Sequence, residues 1–334
     1  MTEVTSSVIP DPTFTYFTSD VTHPVFSHDG SRLGGVCKKK NIGIWNISGK
    51  DYGIENHKTT DVDLTCLAFS PINHDVIAVS GNHVTEVVRV NGSTPFESVS
   101  LVRHNRDTSS CAFFPDGKSV LSAARDGQIR ILNFETKQVT NNLECNDSIR
   151  NVLIAPDGTY FLAVTENGNI IIRRPWYFGI WIQRYLERRG KENTASQSVT
   201  ISPDSRSVAY IVRDNSQMIG KKDLKTKKTS FILHHLPHHS ITSVTYVCGG
   251  RFLLVTTTAR TFYVYDVITG AQIKFINGFS KIEELVCSPS GRYLAIIGSG
   301  LSDGSSPGRE GLWLLDFGRP HLGTLTNEEA LLFV

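Results

Sequence analysis

Four imidazoles stand within six residues in the segment HHLPHH, at His234, His235, His238 and His239. Imidazole nitrogens bind zinc, so metal coordination is the first chemistry to weigh. Zinc requires a complete ligand set in fixed geometry, and Pro237 splits these histidines into adjacent pairs that match no known ligand spacing. The six cysteines, at positions 37, 66, 111, 145, 248 and 287, form no CxxC pair. Their separation argues against both a zinc cluster and a disulfide framework. Cys66, Cys111 and Cys287 lie inside apolar runs and read as small core residues in a reducing compartment. The chain has no GxSxG, no P-loop and no HExxH. Its carboxylates are scattered, and many sit in turns. No catalytic residue, metal site or cofactor is assigned, and the chain reads as a non-enzyme.

The composition sets the frame for any other role. The chain has 334 residues, 40% hydrophobic and 20% charged, enough to bury a large core. A formal net charge of +2 provides no global field for nucleic acid or anionic membrane. The first thirty residues have no basic start followed by an apolar run, the mark of a signal peptide. No stretch approaches the roughly 18 apolar residues of a membrane span. The expected location is cytoplasmic or nuclear, neither secreted nor transmembrane.

The elements announce themselves through their turns. VFSHDGSRLGGV (25–36), AFSPINHDVIAV (68–79), FFPDGKSVLSAA (113–124), IAPDGTYFLAV (154–164), ISPDSRSVAYIV (201–212), YVCGGRFLLVT (246–256) and CSPSGRYLAII (287–297) share one design. Each is an apolar strand, a tight turn and a second apolar strand. Pro presets φ, Asp accepts a local backbone hydrogen bond, and Gly adopts the left-handed conformation. The turns end at Gly30, Asn73, Gly117, Gly158, Ser205, Gly250 and Gly291, in steps of 43, 44, 41, 47, 45 and 41 residues. A third strand follows, as in IGIWNI (42–47), GQIRILNF (127–134), NIIIRR (169–174), TFYVYDV (261–267) and GLWLLDF (311–317). A weaker outer strand comes next, as in KQVTNNL (137–143) and AQIKFI (271–276).

Four antiparallel strands per unit, repeated seven times, resemble the WD-repeat β-propeller family. The clearest unit is residues 104–134, with a leading His104 and an Asp126-Gly127 turn. The Trp-Asp signature is degenerate: its places hold Trp45-Asn46, Leu132-Asn133, Tyr265-Asp266 and Leu315-Asp316. The resemblance implies an all-β fold, a seven-bladed β-propeller of four-stranded antiparallel blades, as one domain over residues 1–334. Unpaired sheet edges invite aggregation. Residues 1–22, with TFTYFT (13–18), are expected to close the last blade by supplying its outer strand, a role for which ALLFV (330–334), in the C-terminal tail 320–334, competes. HHLPHH then falls at the joint between blades 5 and 6. There the family has a Gly-His whose imidazole buttresses the strands; His57 and His104 are placed at the same joint in other blades.

The family's members are mostly binding platforms. The implied function is a non-catalytic protein–protein interaction scaffold, a subunit or adaptor of a multiprotein complex. RRPWYFGIWIQRYLERRGK (173–191), on the outer edge of blade 4, is the most unusual stretch. Its Trp176, Tyr177, Phe178, Trp181, Arg184, Tyr185, Arg188 and Arg189 have the aromatic and arginine composition of interface hot spots. Arg125 and Arg260, in loops joining second and third strands, are further candidate contacts. Arg188-Arg189-Gly190 also resembles the motif of phosphoinositide-binding propellers, which makes a membrane adaptor the alternative. That motif is preceded by Glu187, where those propellers have Phe or Leu. Lys38–Lys40 could touch RNA, but near-neutral charge argues against nucleic acid as a partner.

Overall fold

A turn recurs with the same hydrogen bonds in blade after blade. The amides of Gly30, Gly117, Gly158 and Ser205 donate to the carbonyls three residues earlier, at 2.8–2.9 Å. The preceding aspartates, Asp29, Asp116, Asp157 and Asp204, accept from the amide two residues on, at 2.9–3.0 Å. Each terminal residue is left-handed, including Ser205 at φ 58°. The second blade departs from the expected chemistry. Asn73 is not left-handed; its side chain instead accepts from the Asp75 amide at 3.0 Å.

The structure is a computed structural model describing residues 13–18, 20–47, 54–59, 62–90, 97–175, 181–187, 198–212, 218–233, 240–259, 261–276, 281–290, 292–299 and 310–316. The chain divides into two compact units, Val21–Gln197 and Met1–Asp20 with Ser198–Val334. In the first unit, blade 1 is β2 (Val21–Phe26), β3 (Arg32–Cys37), β4 (Asn41–Asn46) and β5 (Ile54–Thr59). Blade 2 is β6 (Leu64–Phe69), β7 (Val76–Gly81), β8 (Val84–Arg89) and β9 (Glu97–Arg103). Blade 3 is β10 (Thr108–Phe113), β11 (Ser119–Ala124), β12 (Gln128–Asn133) and β13 (Gln138–Glu144). Blade 4 is β14 (Ile149–Ile154), β15 (Phe161–Thr165), β16 (Ile170–Pro175) and β17 (Trp181–Glu187).

In the second unit, blade 5 is β18 (Val199–Ile201), β19 (Ser207–Ile211), β20 (Ile219–Asp223) and β21 (Thr229–Leu233). Blade 6 is β22 (Ile241–Val247), β23 (Phe252–Thr257), β24 (Phe262–Asp266) and β25 (Gln272–Ile276). Blade 7 is β26 (Lys281–Cys287), β27 (Tyr293–Ser299) and β28 (Glu310–Asp316), with β1 (Thr13–Thr18) as its fourth strand, antiparallel to β28. The fold class is therefore all-β, a seven-bladed β-propeller of four-stranded antiparallel blades.

The apolar runs follow from layering. Second strands are the most enclosed: β7 lies between blades 1 and 3, and β7, β15 and β27 are buried along their whole length. Strand β13, on an outer edge, is almost wholly exposed or half-buried, which is why its sequence is polar. Apolar clusters join neighbouring blades within each unit: Ile44 with Leu67, Val87 with Phe113, and Leu121 with Phe161 in the first. In the second, Ala209 packs with Val255, and Leu254 with Leu294. The Gly-rich strands of blade 1 make room for Trp45, since a Cβ at Gly43 would lie 2.6 Å from its ring.

One histidine assignment needs correction. His57 does not occupy the joint between blades; it pairs with Gly43 in the middle of β5, which runs to Thr59. His104 does stand at the joint, directly after β9. The segment 234–239 and residues 320–334 lie outside the described residues.

Candidate functional site

In the first unit, the joints that enter each blade and the loops that link second to third strands share one end. They surround a cleft of about 670 Å³. Blade 1 contributes His23, and blade 2 contributes Val62, Asp63, Thr65 and Asn82. Blade 3 adds Asp107, Thr108, Ser109 and Arg125; blade 4 adds Arg150 and Glu166.

Backbone hydrogen bonds hold these walls in place. Each joint is tied to the preceding blade's loop: the Leu64 amide donates to Lys39 at 2.6 Å, and Thr108 to Asn82 at 2.5 Å. The Arg125 amide donates to the Asp107 carbonyl at 3.0 Å, and the Glu166 amide to Ser148 at 2.8 Å. The Ser148 hydroxyl donates back to the Arg125 carbonyl at 2.7 Å. His23 and Asn82 take left-handed conformations, φ 53° and 52°, at the bulge of β2 and the turn after β7.

The charges differ in how far they are neutralised. Arg125 faces Glu166 at 3.6 Å, and His83 faces Asp107 at 3.8 Å, all on exposed side chains. Asp63 on the blade 2 wall and Arg150 on the blade 4 wall have no ionic partner among the described residues. Among the described residues the cleft thus presents one carboxylate and one guanidinium without an ionic partner, on walls tied by backbone hydrogen bonds. No group of three or more His, Cys, Asp or Glu that could hold a metal occurs among the described residues.

A buried polar chain fastens the blade 3 wall. His104 Nε2 is 2.9 Å from Ser122 Oγ, which is 2.7 Å from Thr85 Oγ1, itself 2.6 Å from Ser80 Oγ. On its other side, His104 Nδ1 faces Asp126 Oδ2 at 3.4 Å. This contact lacks hydrogen-bond geometry, and the nearby carboxylate favours the tautomer with the proton on Nδ1, in which Nε2 accepts from Ser122. Asp126 also accepts from the amides of Asn105 and Gln128, each at 2.9 Å. Burial lowers the pKa of His104, against the opposing pull of Asp126. Burial raises that of Asp126, but those amides and His104 outweigh it, and the net shift is downward. A neutral histidine beside a carboxylate therefore spans blades 2 and 3 under the cleft.

The four-stranded blades define a β-propeller, and comparison with known proteins supports one of the WD-repeat kind. The family model for the WD domain, G-beta repeat, matches residues 97–133. That span takes in the outer strand of blade 2 and three strands of blade 3, with His104, Ser122 and Asp126. A relative is the Target of rapamycin complex subunit wat1 of Schizosaccharomyces pombe (strain 972 / ATCC 24843), 23% identical over 139 residues. The match covers 41% of this chain and 42% of that protein, so it spans about two fifths of the relative's length.

The sequence-selected residues fall in three groups. Arg125 lines the cleft. Trp181, Arg184 and Tyr185 lie on β17, opposite Pro175, Ile172 and Ile171, on the outer strand of blade 4. Trp176, Tyr177, Phe178, Arg188, Arg189 and Arg260 lie outside the described residues. Sequence reading missed Asp63 and Arg150. A signal existed for Arg150, the single charge in the strand IRNVLI. No helix among the described residues is long and apolar enough to cross a membrane.

Proposed function

We propose that this chain is a non-catalytic protein–protein interaction scaffold, serving as a subunit or adaptor of a multiprotein complex. The observation that carries this reading is the cleft of the first unit, whose two unpaired, opposite charges stand on hydrogen-bonded backbone. A partner segment bound there gains ion pairs without first having to displace internal ones. The relative's name supports a subunit role, since that protein is a target of rapamycin complex subunit.

The test is affinity purification of the tagged chain beside its Asp63→Arg and Arg150→Glu variants. Stoichiometric partners with the parent chain, and a loss of roughly tenfold or more in recovery with either variant, are expected, since truncating charge pairs at interfaces costs about 2–5 kcal/mol. A chain that purifies alone, or a partner set unaffected by both reversals, overturns the reading.

A further inference from the structure

Two thiols meet between blades 2 and 3, where nothing in the repeat calls for sulfur. Cys66 follows the bulge of β6, and the matching place on β10 holds Ser110. Cys111 is one position further along β10, where β6 has Leu67. The pair therefore arises from unlike positions on neighbouring inner strands.

Their placement is close. The sulfur of Cys66 lies 3.4 Å from the Cys111 amide nitrogen and 3.6 Å from its carbonyl oxygen. The Cys111 sulfur lies in turn against blade 2, 3.7 Å from the Ala78 carbonyl. Both residues belong to one apolar cluster. Disulfide formation requires the Cys111 sulfur to turn from the Ala78 carbonyl toward the Cys66 sulfur. The two environments also differ. Cys66 is half-buried, and Cys111 is buried. A half-buried thiol beside an enclosed one gives peroxide its entry at Cys66 and leaves Cys111 as the resolving partner.

We propose that Cys66 and Cys111 are an oxidation site that closes to a disulfide across blades 2 and 3. With hydrogen peroxide as oxidant, the Cys66 thiolate attacks one peroxide oxygen and the O–O bond breaks. Hydroxide leaves, to be protonated to water, and Cys66 becomes a sulfenic acid. The Cys111 sulfur then attacks the Cys66 sulfur. The S–O bond breaks, and the oxygen departs as a second water with the Cys111 proton. Two thiols and one peroxide yield one disulfide and two waters. The hydrogen bond with Cys66, together with burial, holds the Cys111 thiol well above its usual range, so closure accelerates as pH rises. Thr65, next to Cys66, donates to the Thr108 carbonyl at 2.9 Å, and both residues line the cleft. The cross-link would thus set the spacing of two cleft walls.

The experiment treats the reduced full chain with hydrogen peroxide, alkylates the remaining thiols and analyses a non-reduced digest by mass spectrometry. A cross-linked peptide joining Cys66 and Cys111, about 2 Da lighter than the sum of its parts and split by dithiothreitol, is expected. In Cys111→Ser the Cys66 sulfenic acid should persist and take up several-fold more dimedone than in the parent chain. Cys111→Ala serves the same purpose if the serine disturbs the core. Two results would overturn the proposal: both thiols still alkylatable after peroxide, or Cys66 oxidised in the parent chain without joining Cys111.

Discussion

In blade 3 the second pair beyond the inner-strand bulge is Cys111 opposite Ser122; in blade 6 the same place holds Val244 opposite Val255. The backbone is alike, with a bulge between Thr108 and Ser110 in one blade and between Ile241 and Ser243 in the other. The fastening differs. Ser122 links His104 to Thr85, and His104 faces Asp126. Val255 is fully buried in an apolar cluster with Val244, Tyr246 and Ala209. The entry of blade 6 is held by main-chain and threonine contacts instead, with Thr258 donating to Ser240 at 2.8 Å and Thr242 paired to Thr256 at 2.7 Å. One blade geometry thus accepts two solutions. The polar chain is directional and carries a titratable group; at Val255 the contribution is buried apolar area.

The largest effect is expected from removing the hub of the polar solution. His104→Ala leaves a largely buried carboxylate and a buried hydroxyl without their partner, and should lower stability by about 3 kcal/mol. The urea midpoint measures it, and a loss below half that figure would mean that Asp126 is satisfied without the imidazole. Next comes the reciprocal change in blade 6. Val255→Ser removes packing and buries a hydroxyl among apolar side chains, at a cost of about 2 kcal/mol. A neutral outcome would erase the distinction between the two blades.

Smaller, but specific to blade 3, is the response to acid. His104 has a lowered pKa in the fold, so the unfolded chain binds its proton first as pH falls. Its contribution is complete above the unfolded value of about 6.5 and declines as pH drops from there toward the lowered folded value. Asp126, also lowered, acts further down: its contribution holds above about 3.9 and is lost as pH falls below that. Thermal melts between neutral and mildly acidic pH should show this slope, and His104→Gln should flatten it, while Val255→Ser leaves it unchanged. The smallest effect concerns exposed ion pairs. Lys118 with Glu135 in blade 3 and Arg251 with Asp266 in blade 6 lie 3.1 and 3.7 Å apart, with both basic side chains solvent-exposed. Alanine at either basic residue should cost no more than about 1 kcal/mol, and equally in the two blades.

Much of the architecture was legible in advance. The turn residues and the apolar runs beside them located the first two strands of every blade, because turn chemistry acts over four residues. Third strands came within a residue or two; NIIIRR (169–174) corresponds to β16 at Ile170–Pro175. Reading failed where local identity was a poor guide. Asn73 stood in a glycine's place but solved its turn with a side chain. His57 looked like a joint histidine, yet a polar outer strand has no sharp end in sequence, and β5 runs past it. The aromatic stretch beginning at Trp176 drew attention through composition. The cleft, built from single residues on four blades, has no composition of its own.

By itself the sequence determined the repeat, the order of strands within blades and the residues at each turn, since all of these depend on neighbours along the chain. Only the tertiary structure decided which charges remain unpaired. Asp63 and Arg150 line one cleft because inner strands of successive blades lie side by side. The same packing sets His104 against Ser122 and Thr85, and Cys66 against Cys111. Residues a whole repeat apart become neighbours there through burial of apolar faces, and no local pattern in the chain encodes which two will meet.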